Sequence, residues 1–115
     1  MLIYKIFRAP EWAILQTNGE TLGAPVDLAD GYVHFSTGAQ VRETAAKWFA
    51  GEDNLHLLAV ESDTLRSHLK WEPSRGGALF PHLYRALTLE DILWVKPLPL
   101  ASENDVDSHL FPEDL

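Results

Sequence analysis

Asp30-Gly31-Tyr32-Val33-His34-Phe35-Ser36-Thr37, running on through Gln40-Val41 and Thr44-Ala45 to Trp48-Phe49, decides the reading of the fold. Asp30-Gly31 is a turn signal. Tyr32 to Ser36 alternates as a short strand, with Tyr32, His34 and Ser36 on one face and Val33 and Phe35 on the other. Thr37 stands as a helix N-cap, with Gln40 three residues on in a capping-box pattern. Val41, Ala45, Trp48 and Phe49 then recur at helical spacing, and Gly51 stops the run.

On the N-terminal side, residues 2–7 read as a strand, and Pro10 opens a helix that Asn18-Gly19 ends. Residues 19–31, with Pro25 and two glycines before Asp30, read as a loop. Downstream, Leu55 to Glu61 is a buried strand and Asp63 to Arg66 a helical turn. Leu69 to Glu72 is a short strand, followed by the loop Pro73-Ser74-Arg75-Gly76-Gly77, which runs on to Leu79-Phe80-Pro81. Leu83 to Leu87 is a strand, Thr88 caps a helical turn, and Leu93 to Leu98 is an edge strand flanked by prolines. Short strands with two main helices, both early, and no regular βαβ alternation give an α+β class.

The 115 residues suit one domain, expected over 1–100. The body is mildly acidic. Residues 101–115 hold five acids and no Lys or Arg, and are expected to form a mobile acidic tail that docks back through Leu110-Phe111. A net charge of −8 argues against long nucleic acid as a partner. No apolar run reaches membrane-span length, and there is no signal-like N-terminus. The absence of cysteine fits a reducing, cytoplasmic setting and removes disulfides and thiolate metal sites. The histidines at 34, 56, 68, 82 and 109 lack His-x-His or His-x-x-x-His spacing, so no metal is expected. A monomer or weak dimer is expected.

Two constellations carry possible chemistry. The first is His34, Ser36 and Thr37 at the strand-to-helix junction, where hydroxyls, an imidazole and amide groups could meet an anion or a ribose hydroxyl. The sequence alone favours the plainer reading, a helix cap beside a hydrogen-bonded core histidine. The second runs from Trp71 and Glu72 through Ser74, Arg75, Gly76 and Gly77 to His82 and Tyr84. Its Ser-Arg-Gly-Gly loop could cradle phosphate, or be an ordinary turn. It is neither a P-loop nor a dinucleotide fingerprint. Lys5 is either a surface residue or a cation in the same cleft. Alternation puts Tyr4 and Lys5 on opposite faces, so only one of them is expected to line a given pocket.

Tyr4-Lys5-Ile6, the Asp30–Thr37 stretch with Gln40-Val41 and Thr44-Ala45, and Leu79-Phe80-Pro81-His82-Leu83-Tyr84 resemble the bacterial family known as domain of unknown function 952. That family is similar in fold to the ADP-ribosyltransferases, especially the RNA 2′-phosphotransferases. The resemblance implies a small, split, bent and mainly antiparallel sheet gripping NAD or another phosphorylated ribose. Tyr4 and Lys5 would fall in the first motif, His34 and Ser36 in the second, and His82 near the third. Lys5 stands where many relatives have His, and Glu72 is the one acid in a suitable loop. The implied activity is ADP-ribosyl transfer, with His34, His82 and Glu72 catalytic. Lys5, Ser36, Thr37, Trp71, Ser74, Arg75, Gly76, Gly77 and Tyr84 would bind ligand, and NAD would be the implied cofactor. The alternative is a module that binds a small anionic or nucleotide-like metabolite without turnover.

Overall fold

The computed structural model describes residues 1–102, 104–113 and 115, and of Arg75, Val106 and Asp107 the backbone only. The chain opens with β1 (Leu2–Arg8) and α1 (Ala9–Asn18), then β2 (Glu20–Thr21) and α2 (Pro25–Asp30). Next come β3 (Val33–His34), β4 (Ser36–Thr37), α3 (Val41–Trp48) and β5 (Leu55–Glu61). After a 3-10 segment at Ser62–His68 follow β6 (Leu69–Pro73), β7 (Leu79–Leu83) and β8 (Leu87–Thr88). The last strands are β9 (Ile92–Leu98), β10 (Leu100–Ser102) and β11 (Asp105–His109). The result is a mixed α and β fold with antiparallel pairing throughout the described ladders.

The main sheet has the order β4-β1-β5-β9, and a second sheet the order β3-β7-β6. β1 and β5 explain why the first is central. Their alternate side chains feed two separate cores, one on each face of the sheet. Ile3, Phe7, Leu58 and Val60 join Leu15 of α1 together with Val33, Phe35 and Leu83 on one side. Tyr4, Ile6, Leu55, Leu57 and Ala59 join Val41 and Ala45 of α3 on the other. A strand buried on both faces reads as one apolar run, which is how Leu55–Glu61 appears in the sequence.

The stretch quoted at the outset joins the two sheets. It was expected as one strand from Tyr32 to Ser36, but it changes partners in the middle. Val33 and His34 pair with Leu83 and His82, whereas Ser36 and Thr37 pair with Tyr4 and Ile3. Phe35, 2% exposed, sits between them with its N–H donating to Pro81 O at 2.9 Å. Thr37 is thereby engaged in β4, and α3 starts later than the capping pattern implied, at Val41 with Gln40 as its N-cap. Half of the predicted box is present: the Gln40 side chain accepts from Thr37 N–H at 3.0 Å and donates to Leu79 O at 2.8 Å.

Three other expectations change. Residues 19–31 contain β2 and α2 rather than only loop. Pro25 opens α2, Asp27 reaches back to Ala24 N–H at 2.7 Å, and Gly31 ends it in the left-handed region at φ 86°. Leu79-Phe80-Pro81 is strand rather than loop, because Phe80 and Pro81 pair with Glu72 and Trp71, and the expected Leu83–Leu87 strand is split between β7 and β8. Within the stretch expected as a mobile tail, β10 and β11 pair as a hairpin. The buried His109 meets Glu52 O at 2.7 Å, and Phe111 packs on the second core under the Arg42 guanidinium. Among the described residues no helix is long and apolar enough to cross a membrane.

Candidate functional site

Antiparallel register builds the site. Tyr32-Val33-His34 runs against His82-Leu83-Tyr84, with Val33 opposite Leu83 and His34 opposite His82. Like therefore faces like, and four aromatic rings share one face. The His34 and His82 rings are 5.2 Å apart, and Tyr32 lies 4.6 Å, 4.2 Å and 5.1 Å from the rings of His34, His82 and Tyr84.

Each histidine is held by a carboxylate. His82 Nδ1 is 2.8 Å from Glu72 Oε1, and the Tyr84 hydroxyl donates to the same oxygen at 2.6 Å. These bonds hold Glu72 below the usual carboxylate range, with the Tyr84 contact the larger cause, and push the Tyr84 phenol up to about 12. A carboxylate only accepts, so Nδ1 of His82 carries hydrogen and, in the neutral ring, Nε2 offers a lone pair. Among the described residues nothing bonds that buried Nε2.

His34 is held more deeply. Its Nδ1 is 2.6 Å from Asp27 Oδ1, and its backbone N–H donates to the same oxygen at 3.0 Å. Lys5 Nζ lies 3.0 Å and 2.8 Å from the two oxygens of Asp27, while Ala24 N–H donates to Oδ2. Four donor groups thus converge on one carboxylate with 0% side-chain exposure. Burial pushes Asp27 up, but the His34 hydrogen bond and the Lys5 charge outweigh it and leave Asp27 below its ordinary value. Burial pulls Lys5 down, and Asp27 only partly offsets this. The space for Asp27 depends on Gly23, at φ +106°, where an added Cβ would stand 2.2 Å from Asp27 Oδ2. The second ring nitrogen of His34, Nε2, lies 2.9 Å from Asp30 Oδ2. That is an ion-pair distance whenever the ring is protonated.

Beside these rings is a cavity of about 580 Å³. Lys5, His34, Ser36, Ser74 and His82 border it, as do Asp30 and Arg8, and apolar walls come from both the sheets and α3. Tyr4 and Lys5 both line it, contrary to the expectation from alternation. β4 covers the edge of β1 only at Ile3 and Tyr4, and the hollow lies along the open edge beyond, where side chains of both faces meet it.

Of the residues singled out in the sequence, Thr37, Trp71, Gly76 and Gly77 do not border this cavity. Thr37 is committed to β4, and Trp71 is 40% exposed on β6. Gly76 and Gly77 form an open turn, and the Arg75 side chain lies outside the described residues. Glu72 and Tyr84 support His82 from behind rather than lining the hollow. Ser36 borders it, with its hydroxyl 2.9 Å from that of Thr44. Sequence reading missed Asp27, whose signal was available: Pro25 at the first helical position with an acid two residues later. No group of His, Asp or Glu suited to a metal occurs among the described residues.

Comparison with known proteins places the chain among relatives of undefined activity. The model of the family described as "Protein of unknown function (DUF952)" matches residues 6–95. The crystal structure of protein CC0527 from Caulobacter crescentus, a structural-genomics target, is 48% identical, with 96% of this chain and 94% of that one covered and a TM-score of 0.89. The solution NMR structure of CC0527 is 50% identical over 91% of this chain and 90% of that one, with a TM-score of 0.80. No curated protein matches.

Proposed function

For this chain, which belongs to the DUF952 family, we propose an enzyme of the ADP-ribosyl-transfer class that acts on NAD or another phosphorylated ribose. The observation that carries this reading is the pair of carboxylate-backed imidazoles, 5.2 Å apart, at the edge of a cavity large enough for a nucleotide-sized group. The apolar walls suit a base, and the polar edge of Lys5, His34, Ser36 and His82 suits a ribose and its phosphates. In transfer from NAD, the bond between ribose C1′ and the nicotinamide nitrogen breaks, and its electron pair leaves with nicotinamide. An acceptor oxygen then bonds to C1′ and gives up its proton. The neutral ring of His82 has the lone pair to take that proton, and His34, fixed through Nδ1 with Nε2 toward the cavity edge, stabilises negative charge on the ligand.

A second reading is favoured by one feature. Glu72 spends one oxygen on His82 and Tyr84, Asp27 is sealed by four donors, and neither borders the cavity, so neither is placed to stabilise the positive charge that develops on the ribose. The cleft would then bind such a ligand without turnover. Titrating isotopically labelled protein with NAD and ADP-ribose, while following nicotinamide release, tests both. Amide shifts at His34, Ser36 and Ser74 with nicotinamide release that His82→Ala abolishes support the enzyme. Shifts without release support the binding module. Absence of shifts at millimolar ligand refutes both.

A further inference from the structure

The two carboxylates on His34 are held very differently. Asp27 is sealed and collects four donors. Asp30 has a half-exposed side chain at the last position of α2, directly before Gly31, and its carboxylate lies at ion-pair distance, 2.9 Å, from His34 Nε2. The carbonyl end of a helix disfavours a carboxylate there. Asp30 and His34 both border the large cavity, as does His82 with its unpartnered Nε2. If Asp30 swung away, Asp27 would still fix the ring through Nδ1, and Nε2 of the protonated ring would be left at the cavity edge without an acceptor.

We infer that Asp30 occupies the seat of a ligand phosphate oxygen, and that a phosphorylated ligand binds by exchanging with the Asp30 carboxylate on His34 Nε2. This rests on the reading of the cleft as a site for a phosphorylated ribose, and it names the group that ligand meets first. The exchange swaps the Asp30 ion pair for a contact with another anionic oxygen, so Asp30 lowers affinity and selects ligands with an anionic oxygen at this point. Once seated, that oxygen lies on the ring next to His82.

The test compares the wild type, Asp30→Asn, His34→Ala and the double variant, each titrated with inorganic pyrophosphate and with ADP-ribose. Asp30→Asn is expected to raise affinity for both probes by roughly three- to tenfold, the range of a partly exposed ion pair. The gain should vanish in the His34→Ala background. In the wild type, the His34 Nε2 nitrogen signal should shift as pyrophosphate is added, a readout that does not depend on any variant folding. Unchanged or weaker binding by Asp30→Asn, a gain that survives His34→Ala, or an unmoved Nε2 signal at saturation overturns the inference. If ADP-ribose binds the wild type and Asp30→Asn equally well, the exchange falls and the proposed function stands. If pyrophosphate shows the full pattern and ADP-ribose does not bind, the reverse holds. Failure of both probes to bind any of the four proteins overturns both.

Discussion

Replacing Asp27 by Asn tests the central claim about the site, that one sealed carboxylate organises Lys5, α2 and His34 together. The side chain keeps its size, but one of the two acceptor oxygens becomes an NH2 donor. Lys5 Nζ, Ala24 N–H, His34 N–H and His34 Nδ1 all point donors at this group, so in either orientation the amide meets donors with a donor. The Lys5 cation, with 7% side-chain exposure, loses its counter-charge. Removing one partner of a buried ion pair costs about 3–5 kcal/mol, a large share of the roughly 5–15 kcal/mol that stabilises a domain. In urea unfolding this is a drop in midpoint on the order of 2 M. Lys5→Met removes the cation but leaves the Asp27 carboxylate its donors from Ala24 and His34, so it is expected to cost less than Asp27→Asn. The double variant removes both charges and is expected to cost less than the sum of the singles by about 1–3 kcal/mol. A loss under about 1 kcal/mol for Asp27→Asn, or strict additivity in the cycle, refutes the reasoning.

Gly23→Ala places a Cβ against Asp27 at a left-handed backbone position and is expected to destabilise by about 1–3 kcal/mol, seen as a lower thermal midpoint. Stability should fall in acid: Asp27, Asp91 and Glu52 have folded-state pKa values below their unfolded ones, so the unfolded chain takes up protons first. Their contribution is whole above the ordinary carboxylate range and is lost as pH drops through the folded values; a urea midpoint that stays flat from the ordinary carboxylate range down through the folded values contradicts this. Lys5 gives a slope of the same sign in its own, higher window: its folded-state value is also lowered, so the cost of burying the cation is relieved as pH rises through that value. Ultraviolet titration of the phenols should show a step near 12 that Tyr84→Phe removes and Glu72→Gln returns toward the ordinary range.

Much of this was legible in the sequence because it depends on short-range periodicity. Tyr32-x-His34 and His82-x-Tyr84 repeat at the strand period, and antiparallel pairing brings them face to face. The helix through Val41 and Ala45 and the doubly buried strand at Leu55–Glu61 carry strong local patterns. What was not legible is tertiary. Asp27 looks like a loop acid until the fold sets Lys5 beside it. α2 has six residues, too few for a hydrophobic period to emerge. The switch of partners at Phe35 leaves no local mark, since both halves of the stretch have the same alternation. The β10–β11 hairpin is polar in composition; Phe111 docks as the sequence suggested, but His109, its other anchor, has no periodic context.

That change of partners at Phe35 has a mechanical consequence. The five residues from Val33 to Thr37 serve as a common spine for two leaves, and the spine is clamped in the core with its amide tied to Pro81. Prying the leaves apart would wrench a packed phenyl ring, worth about 3–5 kcal/mol if removed. The hollow beside the spine is therefore set in width before any guest arrives, and adaptation to the guest falls to individual side chains at its rim.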